Sequence, residues 1–193
     1  MLLVLLGLQP AWAVQAPLKL VQETSDKVLE KVVNRKDELN EYPGKIVALV
    51  NDIVAPQFDF VRMSRLVLGK YWRRASKGQQ GDFIEQFRTL LVRTYAIALL
   101  NYSGQAIVYL PMHEHEGATE VTVNTEVRDG GAPPIPISYR LYLKDGGWQV
   151  YDVVIDNISL VSNYRTGFSN KIRRKGMDSL IAQLKKKNSK GMK

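Results

Sequence analysis

Apolar residues along this chain keep one period in the first half and another in the second. Across residues 18–39 they recur at helical spacing, with Val21, Val28, Leu29, Val32 and Val33 interrupted by Thr24 and Ser25, which predicts an amphipathic helix. Tyr42-Pro43-Gly44 punctuates the pattern, and proline suits a first helical turn. Ile46, Val47, Leu49, Val50, Ile53 and Val54 predict a second, short helix that Pro56 ends. Asp59 is placed to cap a third helix carrying Phe60, Met63, Leu66 and Val67, which stops near Gly69. Gly81-Asp82 opens the longest predicted helix, 83–100, in which Phe83, Phe87, Leu90, Leu91, Thr94 and Ala98 follow the i, i+4, i+7, i+8 pattern.

Beyond Asn101 the period becomes two. Residues 106–110 predict a first strand. Val121, Val123, Thr125 and Val127 alternate with Thr122, Asn124 and Glu126, and Ile135, Ile137, Tyr139, Leu141 and Leu143 alternate with Ser138, Arg140 and Lys144. Asp129-Gly130-Gly131 and Asp145-Gly146-Gly147 are turn signals, so these strands form hairpins of an antiparallel meander. Residues 148–155, including Val150 and Val153, predict a fourth strand that is apolar on both faces. A helix with Leu160, Val161 and Tyr164 follows, and a basic amphipathic helix with Met177, Leu180, Ile181 and Leu184 ends the chain. The predicted class is α+β, with N-terminal helices packed on a curved antiparallel four-stranded sheet and a C-terminal helix.

The first residues change where this fold should operate. Leu2 to Leu8 are almost wholly apolar, Pro10 breaks the run, and Ala11-Trp12-Ala13 presents small residues at both positions a signal peptidase reads. That run is too short to span a bilayer. Residues 1–13 are therefore expected to be a signal peptide, and 14–193 one exported domain with a basic tail. No later apolar stretch approaches membrane-spanning length. The 193 residues include no cysteine, which leaves the fold to packing alone and excludes thiol chemistry.

Charge is concentrated at one end. Residues 165–193 carry a net +9 against a chain total of +8, so the remainder sums to −1. A basic end favours an anionic partner, either a lipid headgroup surface or an acidic protein, and export argues against nucleic acid.

Two constellations admit a catalytic reading. His113 and His115 on a strand would point to one side and could seat zinc, but no third ligand is evident, and Pro111 and Gly117 favour a solvated turn. Asp152, inside an apolar strand, could serve as a general base; pairing with an arginine or capping a neighbouring element is the competing role. No nucleophile elbow, phosphate loop or dinucleotide fingerprint is present.

An ordered set of blocks carries a stronger pointer. It comprises Pro56-Gln57-Phe58-Asp59-Phe60-Val61-Arg62-Met63, Leu66-Val67-Leu68-Gly69-Lys70-Tyr71-Trp72-Arg73, and Phe83 through Phe87 to Leu90-Leu91-Val92-Arg93-Thr94-Tyr95. Further on come Ile135-Pro136-Ile137-Ser138-Tyr139-Arg140, Trp148-Gln149-Val150-Tyr151-Asp152-Val153 and Ile158-Ser159-Leu160-Val161-Ser162-Asn163-Tyr164-Arg165, with Phe168. Taken in this order, the chain closely resembles the MlaC (toluene-tolerance, Ttg2D-like) family of periplasmic phospholipid-binding proteins, over nearly all of the mature sequence. Asp156-Asn157 departs from the acidic residue and glycine that the family often has there, which leaves the turn geometry open.

The resemblance implies a cone similar to nuclear-transport-factor-2-like folds, with added helices and a deep apolar pocket. It implies a soluble shuttle of the Mla pathway that maintains outer-membrane lipid asymmetry. Its partners would be an inner-membrane ABC transporter complex with its lipid-binding subunit and an outer-membrane lipoprotein–porin complex. No cofactor is implied, only phospholipid as cargo. Transfer needs a dry cavity, because exposing one sixteen-carbon chain to water costs on the order of 12 kcal/mol at about 0.8 kcal/mol per methylene. On this reading the inward residues become cavity walls: Phe60, Met63, Leu66, Val67, Phe83, Phe87, Leu90, Leu91 and Thr94 from the helices. The sheet would contribute Val121, Val123, Ile137, Tyr139, Leu141, Val150 and Val153. The alternatives are an enzyme on the same cone using Asp152 or His113/His115, and an envelope scaffold with an ordinary packed core.

Overall fold

Local chemistry decides where each helix starts. In the computed structural model, which describes residues 15–112 and 117–189, Pro17 opens α1 (Pro17–Asn34), a position where its missing N–H breaks no helical bond. The expected signal peptide and the His113/His115 pair lie outside the described residues. The single helix predicted to Leu39 is interrupted at Arg35, which leaves helical geometry (φ −120°, ψ 22°), and α2 (Lys36–Glu41) follows. Next comes α3 (Lys45–Ile53), then a 3-10 turn over Ala55–Gln57 that contains Pro56. Asp59 caps α4 (Phe60–Leu68), its carboxylate accepting from the Arg62 N–H at 2.8 Å.

α5 (Lys77–Leu100) starts earlier than Gly81-Asp82 because Ser76 and Gln79 form a reciprocal capping box. The Ser76 hydroxyl accepts from the Gln79 N–H at 3.1 Å, and the Gln79 side chain accepts from the Ser76 N–H at 3.0 Å. α6 (Leu160–Ser189) breaks at Gly176, whose φ of 81° and ψ of 170° belong to a region essentially restricted to glycine. That break separates the two C-terminal helical segments read from the sequence.

Five strands form one antiparallel sheet in the order β1 (Ala106–Tyr109), β2 (Glu120–Arg128), β3 (Ile135–Lys144), β4 (Gly147–Ile155), β5 (Ile158–Ser159). The class is α+β, as read from the sequence, with one strand more than predicted. β5 is two residues long, too short for an alternating pattern to register. It exists because Asp156 (φ 48°) and Asn157 (φ 63°) make a tight turn that folds Ile158 back onto Ile155. Asparagine tolerates this left-handed geometry, so the turn closes without glycine. Asp145 (φ 49°) and Gly146 (φ 81°) make the equivalent turn between β3 and β4.

The core has three parts. Between α4, α5 and α6, Phe83 and Phe87 meet Phe168 and Tyr164 edge to face, with centroids 5.8 and 5.3 Å apart for the Phe83–Phe168 and Phe87–Tyr164 pairs. Between α1, α3 and the later turns of α5 lie Val28, Val32, Ile46, Leu49, Val92 and Ala96. The third part sits on the inner face of the sheet, where Val123, Leu141, Val150 and Val153 pack with Val21 and Leu160. No described helix is long and apolar enough to cross a membrane.

Candidate functional site

Strand register organises the inner sheet face into rows. Ile107, Val127 and Ile135 are paired across β1, β2 and β3; two residues further in, Tyr109, Thr125 and Ile137 are paired, with Ile155 beside them on β4. Opposite these rows α5 changes character. Its earlier turns present Phe83 and Phe87 to α6, whereas its last turns present Tyr95, Ala96, Ala98 and Leu99. Small alanines at the end of a long helix leave the sheet uncovered there. The space left between α1, α3, the end of α5 and the sheet is an apolar cavity of about 640 Å³.

Leu20, Val21, Val28 and Leu29 wall the cavity from α1, Val50 and Val54 from α3 and its end, and Ile137, Tyr139, Val150 and Ile155 from the sheet. One end is open: Asn101, Asp129, Ala132 and Pro133 at that rim are exposed, and Ile135 is 48 % exposed. Gln57 and Phe58 close part of the wall elsewhere. Phe58 is held as a parallel bridge to Val150, with the Asp59 N–H donating to the Val150 carbonyl at 2.9 Å.

The Asp59 side chain anchors that segment to the sheet. Tyr142 donates its hydroxyl proton to the carboxylate, and Lys144 donates at 3.0 Å. Burial pushes the Asp59 carboxyl upward, but the bonds from Tyr142, the Arg62 N–H and Lys144 outweigh it and hold it below the usual carboxylate range. Arg62 pairs with Glu120 and stacks over the rings of Tyr142 and Tyr151, 3.9 and 4.4 Å from their centroids.

The residues singled out in the sequence divide clearly. Ile137, Tyr139 and Val150 line the cavity. Met63, Val67, Phe83, Phe87, Leu90 and Leu91 lie instead in the packed α4–α5–α6 cluster, with Phe60 and Leu66 against it. The predicted stripe on α5 faces α6, because Phe168, Ile172, Leu180, Ile181 and Leu184 also need apolar cover. Val123, Leu141 and Val153 are buried in close packing on the sheet, with Val121 beside them, and Thr94 is exposed. The cavity walls named from the sequence include none of the α1 residues that line this space and none of Tyr95, Ala96, Ala98 and Leu99 from the last turns of α5. The signals available were hydroxyls inside the α1 stripe (Thr24, Ser25) and the alanines Ala96 and Ala98.

Asp152 takes the structural part that competed with the catalytic one in the sequence. Its carboxylate accepts from the Val161 N–H at 3.0 Å, the Ser159 hydroxyl at 2.7 Å and Arg140 at 3.2 Å, so it both caps α6 and pairs with arginine. Among the described residues, no group of three His, Cys, Asp or Glu side chains is placed to hold a metal ion. The cavity's own chemistry is apolar. A 150 Å³ apolar cavity holds one six-carbon benzene ring; at that ratio 640 Å³ takes on the order of 25 carbons.

Comparison with known proteins places this geometry. The chain is 29 % identical over 180 residues to the toluene tolerance protein ttg2D of Pseudomonas putida, covering 92 % of this chain and 83 % of that one. It is 25 % identical over 182 residues to the intermembrane phospholipid transport system binding protein MlaC of Haemophilus influenzae, covering 93 % and 85 %. The solved structure of a phospholipid-binding protein from Ralstonia solanacearum, in complex with a phospholipid, superposes with a TM-score of 0.81 at 31 % identity, covering 89 % of this chain and 96 % of that one. Residues 22–186 match the family described as MlaC protein, and the chain belongs to that family.

Proposed function

We propose that this protein is a periplasmic phospholipid carrier, exported by residues 1–13 and built as a single domain from residue 14 onward. The observation that carries the proposal is the 640 Å³ apolar cavity, open at one end, in a chain of this family. Acyl chains occupy the cavity and the headgroup remains at the rim. Burial of chains supplies the affinity at about 0.8 kcal/mol per methylene, and no chemical step is needed. The carrier exchanges lipid between an outer-membrane lipoprotein–porin complex and an inner-membrane ABC transporter complex with its lipid-binding subunit, and so maintains outer-membrane lipid asymmetry.

The basic face of α6 supports docking to an anionic surface during exchange. Lys70, Arg165 and Arg173 line one shallow depression, and Lys171, Arg174 and Lys175 line the next. The test is detergent-free purification followed by lipid extraction and mass spectrometry. The expected result is stoichiometric glycerophospholipid. Protein that carries none, and takes up none from vesicles, overturns the proposal.

A further inference from the structure

The cavity takes on the order of 25 carbons, yet a glycerophospholipid with two sixteen-carbon chains brings thirty-two. About seven carbons therefore lie beyond it, and each one left in water weakens binding. A second apolar space opens one turn further along α1. Val28 and Leu29 wall the cavity, and four residues later Val32 and Val33 wall a groove of about 230 Å³, closed by Leu39 from α2 and Leu100 from the end of α5. Tyr102, half-buried, lines both spaces beside the open rim at Asn101. Val32 and Leu39 are buried in the groove, whereas Val33 is 56 % exposed.

An apolar side chain held in water beside an apolar floor gains by being covered. At the benzene ratio 230 Å³ takes about nine carbons, enough for the seven that the cavity leaves over. We infer that this groove is a second acyl-chain site, continuous with the cavity mouth across Tyr102. One chain and the glycerol-proximal part of the other occupy the cavity. The end of the second chain crosses Tyr102 and lies along Val32, Val33 and Leu39. This inference rests on the carrier reading and adds a dependence on acyl length to it. Lipids with up to about 25 acyl carbons use the cavity alone, and longer ones need the groove as well.

Uptake from vesicles of phosphatidylcholine with two twelve-carbon or two sixteen-carbon chains tests this on wild type, Val33→Asp and Asn40→Trp. Val33 and Asn40 both line the groove and are exposed, so neither change disturbs the core. The first puts a charge in the groove and the second fills it with a ring. Each variant is compared with wild type on the same lipid, which cancels the different stabilities of the two bilayers. Both variants should hold the shorter lipid as well as wild type does. They should hold the longer one at least about tenfold more weakly, the change that about two methylenes returned to water produce. Unchanged affinity for the longer lipid overturns the groove, as does an equal loss for both lipids, which marks a merely structural effect. Failure of folded wild type to take up either lipid is a different result and overturns the carrier reading itself.

Discussion

Ile137 and Leu141 lie on the same face of β3, yet enlarging each to tryptophan should have opposite consequences. Leu141 is 0 % exposed and packed among Val123, Val150 and Val153. Overpacking it should cost about 1–3 kcal/mol, which for a domain of this size lowers the melting temperature by roughly 2–12 °C. Ile137 borders the cavity. Its replacement adds six non-hydrogen atoms, which at the benzene ratio occupy about 150 Å³, roughly a quarter of the 640 Å³ available. That volume displaces about six methylenes of lipid, an upper limit of about 5 kcal/mol, reduced because a chain can slide toward the open rim. The melting temperature of delipidated Ile137→Trp should stay within about 2 °C of wild type. Delipidation matters because bound lipid stabilises the folded state by mass action. Co-purified lipid per folded protein, measured by phosphorus assay and mass spectrometry, should fall. A sharp loss of stability in Ile137→Trp with unchanged lipid content would show that this space is core, and the reasoning would fail.

Four further outcomes follow from the geometry. Gly176→Ala should lower stability by about 1–3 kcal/mol, because alanine cannot adopt φ 81°, ψ 170° without strain; urea denaturation reads this directly. Ser76→Ala should cost about 1 kcal/mol through loss of the α5 capping box, seen in the same assay. Asp59 has a folded-state value below its unfolded one, so its contribution is fully present above about pH 4 and lost as pH falls through the lower folded value. Asp59→Asn should therefore flatten the acid side of the stability profile, and an unchanged acid slope would assign acid loss to other carboxylates. Reversing Arg173, Arg174 and Lys175 to glutamate should weaken binding to vesicles rich in anionic lipid by about 1 kcal/mol per charge removed and reduce its salt dependence; sedimentation of vesicles gives the measurement.

Much of the architecture was legible because period and punctuation are local properties. Helical spacing with Asp59 and Gly69 marked α4, and alternation between Asp-Gly turns marked β2, β3 and β4. The capping box at Ser76 was written in the sequence too, but Gly78 and Gly81 weakened the helical pattern around it. The cavity was less legible for a physical reason. Periodicity shows that a side chain faces inward without showing what covers it. Phe83 and Phe87 face inward and meet Phe168 and Tyr164 from a segment some eighty residues later in the sequence. Val123 and Leu141 face inward and are close-packed, while Ile137 and Tyr139, on the same strand face as Leu141, open onto empty space. Which inward residues border a void depends on what the facing helices present there, and the last turns of α5 line this space with the small residues Ala96 and Ala98.

The most direct test of the carrier reading is the lipid inventory of protein isolated without detergent, quantified against folded protein. The account predicts diacyl glycerophospholipid near one equivalent, regained from vesicles after delipidation. An empty cavity after gentle isolation, and no uptake by folded protein offered vesicles, would contradict it.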